Sequence, residues 1–424
     1  MRQKGFDTPL FSVRPHVYLL GMKILHTSDW HLGRRLHGES LVESHERFLY
    51  WLHSELLLES KPDLIVVSGD IYDRGVPPTD AIELLEDSLA EIQKSGTPVL
   101  MSAGNHDSRV RLGINSRFMA GVGLHFRTRL KDITAPVQID SEDFTLLAYG
   151  IPYLEPDVDA GPADHQWNVD PSQTGVLAEA MRLINIDIES RRSRSSKPIR
   201  TLVASHAFVQ GATSSDSERN IKDVKVGGLG QADAAVFDGV DYVAMGHIHR
   251  PHSTNEIKGP GATLLRYSGS PIPFSFSERS DSKQVLLVEF SKDGVTDSAI
   301  SSISAPTLRG MQQIEGTLEE ILSDKFQESD DWIKVILKDK EIPINVFETI
   351  KRKYTHLLDL DHRSAFIGND PQGRGEVLLQ NLTPEEVTRR FVERVTREAV
   401  KPEVSEAIDS CCDEVRLELT QVSK

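Results

Sequence analysis

The chain has 424 residues, 38% hydrophobic and 26% charged, with a formal net charge of −16. That length exceeds what one small core needs and predicts two or three domains. So acidic a chain is a poor stand-alone binder of nucleic acid, whose phosphates call for Lys and Arg, and its two cysteines, adjacent at Cys411 and Cys412, exclude a disulfide framework or a thiolate zinc site and fit a reducing cytoplasm.

Residues 1–21 differ in character from the rest of the chain and read as an N-terminal extension; their apolar run "VYLL" is too short for a signal-peptide core. The sequence holds no run of 18 apolar residues, so no membrane-spanning helix is expected. From Met22 to about Phe290 strands alternate with helices, the pattern of a layered α/β fold. "KILHTSD", "DLIVVS", "PVLMSA", "RTLVAS" and "VDYVAMG" are the strands. Helices are expected at 43–59, at 79–94 (opened by Thr79 and closed by Gly96), at 175–187 and around 229–236. Past Gly261 come strands alone, "ATLLRYSGS", "KQVLLVEF" and "VTDSAISSIS", expected to form a second, antiparallel sheet that closes a sandwich. Over 305–370 the strand "WIKVILKD" and the helix "PINVFETIKRKY" suggest a small α+β domain. The remainder, 371–424, begins in the linker "IGNDPQGRGE" and continues as two charged amphipathic helices, 383–399 and 402–419. Thr383 caps the first of them, with Pro384 at its first position and Glu386 three residues on.

Five strands of the 22–304 region deliver Asp, Asn or His at their carboxyl ends. These are Asp29 and His31, then Asp70, then "GNHD" (Gly104 to Asp107), then His206, then His247 and His249. That edge of an open α/β sheet is where ligands bind. Carboxylate, amide and imidazole donors without thiolate suit Mn²⁺, Fe²⁺ or Zn²⁺. They are too many for one ion, so two are expected, with Asp70 bridging because it leaves a central strand directly after Gly69. Two metals roughly 3.5–4 Å apart form the clamp used for in-line displacement at phosphorus.

In order and strand context these motifs resemble the five-motif set of calcineurin-like metallophosphoesterases. Within that superfamily "HTSDWHLG", "SGDIYDR", "GNHDS" and "RYSGSPIPFSFSE" are similar to the SbcD-like nuclease subunits. The resemblance implies a four-layer β-sandwich flanked by helices, with a small α+β cap and a C-terminal helical tail. It implies one metal on Asp29, His31, Asp70 and His249 and another on Asp70, Asn105, His206 and His247, with Mn²⁺ the expected ion. His106 would stabilise the transition state or protonate the leaving oxygen. Related nucleases can carry a His three positions after the bridging Asp; here that position is Asp73, a catalytic candidate or a residue that only orders the loop. "GDIYDRG" also resembles the "GDxVDRG" of Ser/Thr protein phosphatases, which makes Arg74 a candidate phosphate ligand and a phosphomonoesterase the alternative. The implied activity is 3′→5′ exonucleolytic and endonucleolytic cleavage of DNA, in a cytoplasmic complex with an SbcC-like ATPase that docks on the tail helices and in which this chain could pair as a homodimer. Arg34, Arg35 and His37 are either a DNA-backbone contact or a solvated loop. The remaining histidines, His26 and His45 among them, receive no role.

Overall fold

The computed structural model describes residues 21–160, 167–210, 212, 215–218, 230–252, 263–362, 383, 385, 386, 388, 389, 392 and 400–422. The expected extension (except Gly21), the linker "IGNDPQGRGE" and most of the first tail helix lie outside these residues.

Two sheets face one another. The first has six strands in the order Ile300–Ser304, Gln284–Phe290, Met22–Thr27, Leu64–Ser68, Val99–Ser102 and Leu124–Arg127. The last four run parallel, Gln284–Phe290 pairs antiparallel with the nearest of them, and Ile300–Ser304 pairs antiparallel with Gln284–Phe290. The second has five, in the order Leu264–Tyr267, Tyr242–Gly246, Ile199–His206, Thr145–Gly150 and Val137–Asp140. Its first four strands are parallel and its last is antiparallel. The strands past Gly261 therefore do not make a sheet of their own. Leu264–Tyr267 extends the second sheet in parallel, while Gln284–Phe290 and Ile300–Ser304 close the edge of the first. Hydrophobic pattern marks a strand but not its partner, which is chosen by contacts between distant parts of the chain, such as Met22 opposite Phe290.

Alternate residues on each strand explain the layers. Ile24, Leu64, Val66 and Leu100 meet Ala148, Leu202, Ala204 and Ala244 between the sheets. On the other face of the first sheet, Leu25, Ile65, Val67 and Met101 pack under Phe48, Leu52, Leu85 and Ile92. Val203, Val243 and Met245 on the outer face of the second sheet bury Leu177, Met181, Ile184 and Ile188 of the helix Gln173–Arg192. Strands covered on both faces read as continuous apolar runs. The sandwich is thus helix, sheet, sheet, helix.

Helix ends follow local chemistry. The helix Thr79–Ser95 stops at Gly96, whose φ of 76° is the left-handed cap; Pro78, not Thr79, is its N-cap. The expected 43–59 helix spans 42–60, with one wide turn at Leu52–Leu56. Around 229–236 the described residues form only the short turn Ala234–Phe237. Residues 311–362 build a three-stranded parallel sheet, Met311–Gly316, Trp332–Leu337 and Leu357–His362, with the helices Leu318–Leu322 and Val346–Lys351. Met311 and Trp332 pack into the helix-side core of the first sheet. In the tail, Thr383 and Glu386 exchange the two hydrogen bonds of a capping box. The second tail helix runs Pro402–Val422 and is tied to the first by Arg389, which bonds Ser405 (2.9 Å) and Asp409. Among the described residues no helix is long and apolar enough to cross a membrane.

His26 links the sheets. Its Nε2–H donates to the Met245 carbonyl (3.2 Å), and Nδ1 accepts from the Tyr242 hydroxyl (2.9 Å). Burial pushes its pKa down from 6.5 to about 3, against the pull of the Met245 bond. Between those values the unfolded chain binds a proton that the folded chain refuses. Stability from this residue is therefore complete above pH 6.5 and falls as pH drops toward 3, by about 1.4 kcal/mol per pH unit. Urea unfolding followed from pH 7 to 4 should show this decline, and His26→Gln should make it shallower, the other buried histidines keeping their share.

Candidate metal centre

The five strand ends converge on one edge. Asp29 and His31 follow Met22–Thr27, Asp70 follows Leu64–Ser68, Asn105 and His106 follow Val99–Ser102, His206 ends its own strand, and His247 and His249 follow Tyr242–Gly246. Asp29, His31, Asp70 and His247 all hold positive φ, at 53°, 45°, 50° and 97°. Such strain costs on the order of 1–3 kcal/mol per residue and persists where surrounding packing enforces it. The glycines before the ligands have a steric reason: a Cβ on Gly69 would come within 2.2 Å of His206 Nδ1, and one on Gly104 within 2.1 Å of Asp70 Oδ1.

His31 Nε2 and His249 Nε2 approach to 3.0 Å. Asn105 Oδ1 lies 3.0 Å from both His206 Nε2 and His247 Nδ1. Asp70 Oδ2 stands between the two groups, 3.4 Å from His31 Nε2 and 3.3 Å from His206 Nε2. Three overlapping sets could each hold an ion: Asp29–His31–His249, His31–Asp70–His106 and Asp29–Asp70–His206. Asp29 and Asp70 are buried, and among the described residues no Lys or Arg pairs with either. Burial pushes Asp29 up to about 6. It pushes His31 down to about 4, His247 to about 3, and His249 well below its ordinary value. Burial also lowers His206, but the Asp70 and Asp29 carboxylates outweigh it and raise the ring to about 9. His31, His247 and His249 are thus held as neutral donors, while His206 takes a proton from solution to offset the Asp70 and Asp29 carboxylates, a charge that a divalent cation would supply in its place. The residues fit two candidate divalent-metal clusters.

A model described as calcineurin-like phosphoesterase matches residues 22–251, more than half of the chain. The chain belongs to the calcineurin-like phosphoesterase family. A second model, described as the type 5 capsule protein repressor C-terminal domain, matches residues 307–422. The chain is 29% identical to the SbcD subunit of nuclease SbcCD from Staphylococcus saprophyticus subsp. saprophyticus over 391 residues, 92% of this chain and 97% of that protein. Among solved structures it is similar to TT1561 of Thermus thermophilus, at 12% identity and a TM-score of 0.37 over 67% of this chain and 99% of that one. It is also similar to the purple acid phosphatase PPD1 of yellow lupin, at 10% identity and a TM-score of 0.33 over 67% and 54%. As a calcineurin-like phosphoesterase with this donor set, the protein is a metal-binding hydrolase of phosphoesters.

Other residues of this phosphoesterase site take definite places. His106 is half-buried, its ring 4.7 Å from that of His31; its Nδ1–H donates to the Asp73 carbonyl (2.9 Å), which leaves Nε2 free. The Asp73 carboxylate lies 3.5 Å from His31 Nδ1 and 3.3 Å from Arg34. Arg74 is 71% exposed and 3.6 Å from Asp73. Arg34 is not the solvated loop residue that was one expectation for it. It turns inward over the Phe274 ring (4.7 Å) and bonds Asp73 and the Ser217 carbonyl. Phe274 in turn packs edge-on against His31 and His249.

Sequence reasoning assigned Asp107 no task. Its buried carboxylate accepts from the backbone N–H groups of Ile71 (3.0 Å), Tyr72 (2.9 Å) and Gly104 (2.9 Å), clamping the Asp70 loop to the Asn105 loop. Its place as the last residue of "GNHD" was the available signal. Asp107→Ala strands these donors and should cost on the order of 3 kcal/mol in chemical denaturation.

Proposed function

We propose that this chain is a two-metal DNA phosphodiesterase, a 3′→5′ exonuclease on duplex ends and an endonuclease on hairpins and single strands. It would act with an SbcC-like coiled-coil ATPase in DNA repair, replication and recombination in the cytoplasm. The observation that carries this reading is the collinear similarity to the SbcD subunit of nuclease SbcCD over 97% of that protein, through the phosphoesterase half and the C-terminal half alike. Asp29, His31, Asp70 and His249 would hold one ion and Asp70, Asn105, His206 and His247 the other, with Mn²⁺ the metal we propose. When bound, the ions activate water and offset the charge that develops at phosphorus. Asp70, placed between the two imidazole groups, keeps the sites together. His106 presents Nε2 at the half-open face of the site, where it can hold or deliver a proton to a departing 3′-oxygen.

The alternative, a phosphomonoesterase, rests on Arg74, and that side chain is mostly in solvent. Exposed surfaces support the rest of the proposed assembly. On the second tail helix Ile408 is buried, while Val404, Ala407 and Cys411 of the same apolar stripe are exposed. An amphipathic helix with an open stripe supports docking on a partner helix, here the ATPase. Val110, Ile114 and Phe118, four residues apart and all exposed, support a homodimer through that segment.

The test is cleavage of duplex and hairpin DNA with and without Mn²⁺, for the full chain and for a chain lacking residues 380–424. Both should hydrolyse a bis-nitrophenyl phosphodiester. Only the full chain should co-purify with the ATPase subunit and show ATP-stimulated cleavage of duplex ends. Hydrolysis of phosphomonoesters alone would overturn the nuclease reading. Normal ATPase binding by the truncated chain would move the docking surface to the 305–370 region.

A further inference from the structure

Three residues beyond the strand-end motifs converge beneath His249. Glu278 and Lys283 are buried and joined by an ion pair of 2.5 Å. The Lys283 ammonium spends its other two protons on the His249 carbonyl (3.0 Å) and Ser270 Oγ (3.0 Å). Glu278 uses its second oxygen, Oε1, to accept from Ser217 Oγ at 2.5 Å and from Ser215 Oγ at 3.1 Å. With its proton given to Glu278, Ser217 Oγ can only accept from the ring nitrogen that faces it, His249 Nδ1, at 2.6 Å. Burial alone would raise the Glu278 pKa, but Lys283 outweighs it and holds the carboxyl below its ordinary value, so it remains a pure acceptor.

We propose that Ser217, Glu278 and Lys283 form a positioning relay that fixes the tautomer and aim of His249, so that its Nε2 lone pair faces the metal position shared with Asp29 and His31. The proposal rests on the two-metal reading of the site. A buried ion pair is weak as a source of stability, since apolar residues of the same volume often serve as well. This one has a further consequence: it anchors both ends of a histidine whose free nitrogen lies 3.0 Å from His31 Nε2. Hydrogen bonds to the second nitrogen of a metal-binding histidine set its tautomer and orientation, and losing them costs roughly 10–100-fold in metal affinity or activity. Here the carboxylate reaches the ring through a hydroxyl instead of touching it.

The experiment compares the wild-type chain with Ser217→Ala, Ser217→Thr and the double variant Glu278→Gln/Lys283→Met. Mn²⁺ binding is read by calorimetric titration and by electron paramagnetic resonance, beside the melting temperature of the metal-stripped protein and hydrolysis of the bis-nitrophenyl ester. Ser217→Ala should melt as the wild type does, retain one tight Mn²⁺ and bind the other roughly 10–100-fold more weakly. Its hydrolysis should recover as Mn²⁺ is raised. Ser217→Thr, which keeps the hydroxyl, should restore affinity. The double variant should match Ser217→Ala in metal binding if it folds; the serine variants stand alone if it does not. Two wild-type affinities in Ser217→Ala would overturn the relay and leave the two-metal reading intact. A wild-type chain that binds fewer than two ions would instead sink the reading beneath it.

Discussion

Asp70→Asn should weaken both metal positions at once and lower phosphodiester hydrolysis by at least on the order of 10²–10³. The expectation comes from where the carboxylate stands. Oδ2 is within 3.4 Å of a ring nitrogen from each imidazole group, His31 on one side and His206 on the other. Oδ1 accepts the His106 backbone N–H at 2.9 Å, which fixes the carboxylate plane. The burial of Asp70 works against its charge, and His206 and His31 outweigh that to hold its pKa well below the ordinary carboxylate range. It therefore enters the site as an anion. The amide is nearly isosteric, keeps an acceptor for His106, and removes the charge both ions would share. Metal analysis of the purified variant is the decisive measurement. Full occupancy of either position would show that Asp70 serves only the other.

His106→Ala should separate chemistry from metal binding. The variant should keep both ions and lose on the order of 10²–10⁴ in rate, the range of general acid–base assistance. The geometry supports this: Nδ1 is committed to the Asp73 carbonyl, and Nε2 is left at a half-buried position beside His31. If the imidazole protonates the leaving oxygen, the defect should shrink with a nitrophenyl leaving group, which needs no proton. His106 also lies close enough to His31 and Asp70 to share an ion with them. Loss of one metal from His106→Ala would make it a ligand and remove the acid role.

Much of this site was legible before any coordinates. An apolar run that ends abruptly in Asp, Asn or His marks both a buried strand and its carboxyl edge, and parallel strands place those edges together within each of the two sheets, whose facing arrangement then joins the two groups. Asp29, His31, Asp70, Asn105, His106, His206, His247 and His249 could therefore be gathered from spacing and element type alone. Helix ends were legible where a single residue carries the signal, as Gly96 does through its left-handed φ and Thr383 through its reciprocal bonds with Glu386. Such features are local, because the chemistry that makes them lies within a few residues.

The rest needed contacts between distant segments. Three strands late in the chain look alike in sequence, yet one joins the second sheet in parallel and two extend the first antiparallel. Pattern states only that a strand has buried faces; which edge it pairs with depends on every other strand present. The supports of the metal ligands were hidden for the same reason. Asp107 reads as one more polar loop residue until Ile71 and Tyr72 arrive from 35 or so residues away. Ser217 and Glu278 acquire a purpose only when His249 and Lys283 are folded against them. Ligands announce themselves by residue type at a strand end, whereas the groups that aim them are ordinary polar side chains, and only the tertiary structure, by burying them together, decides what they hold.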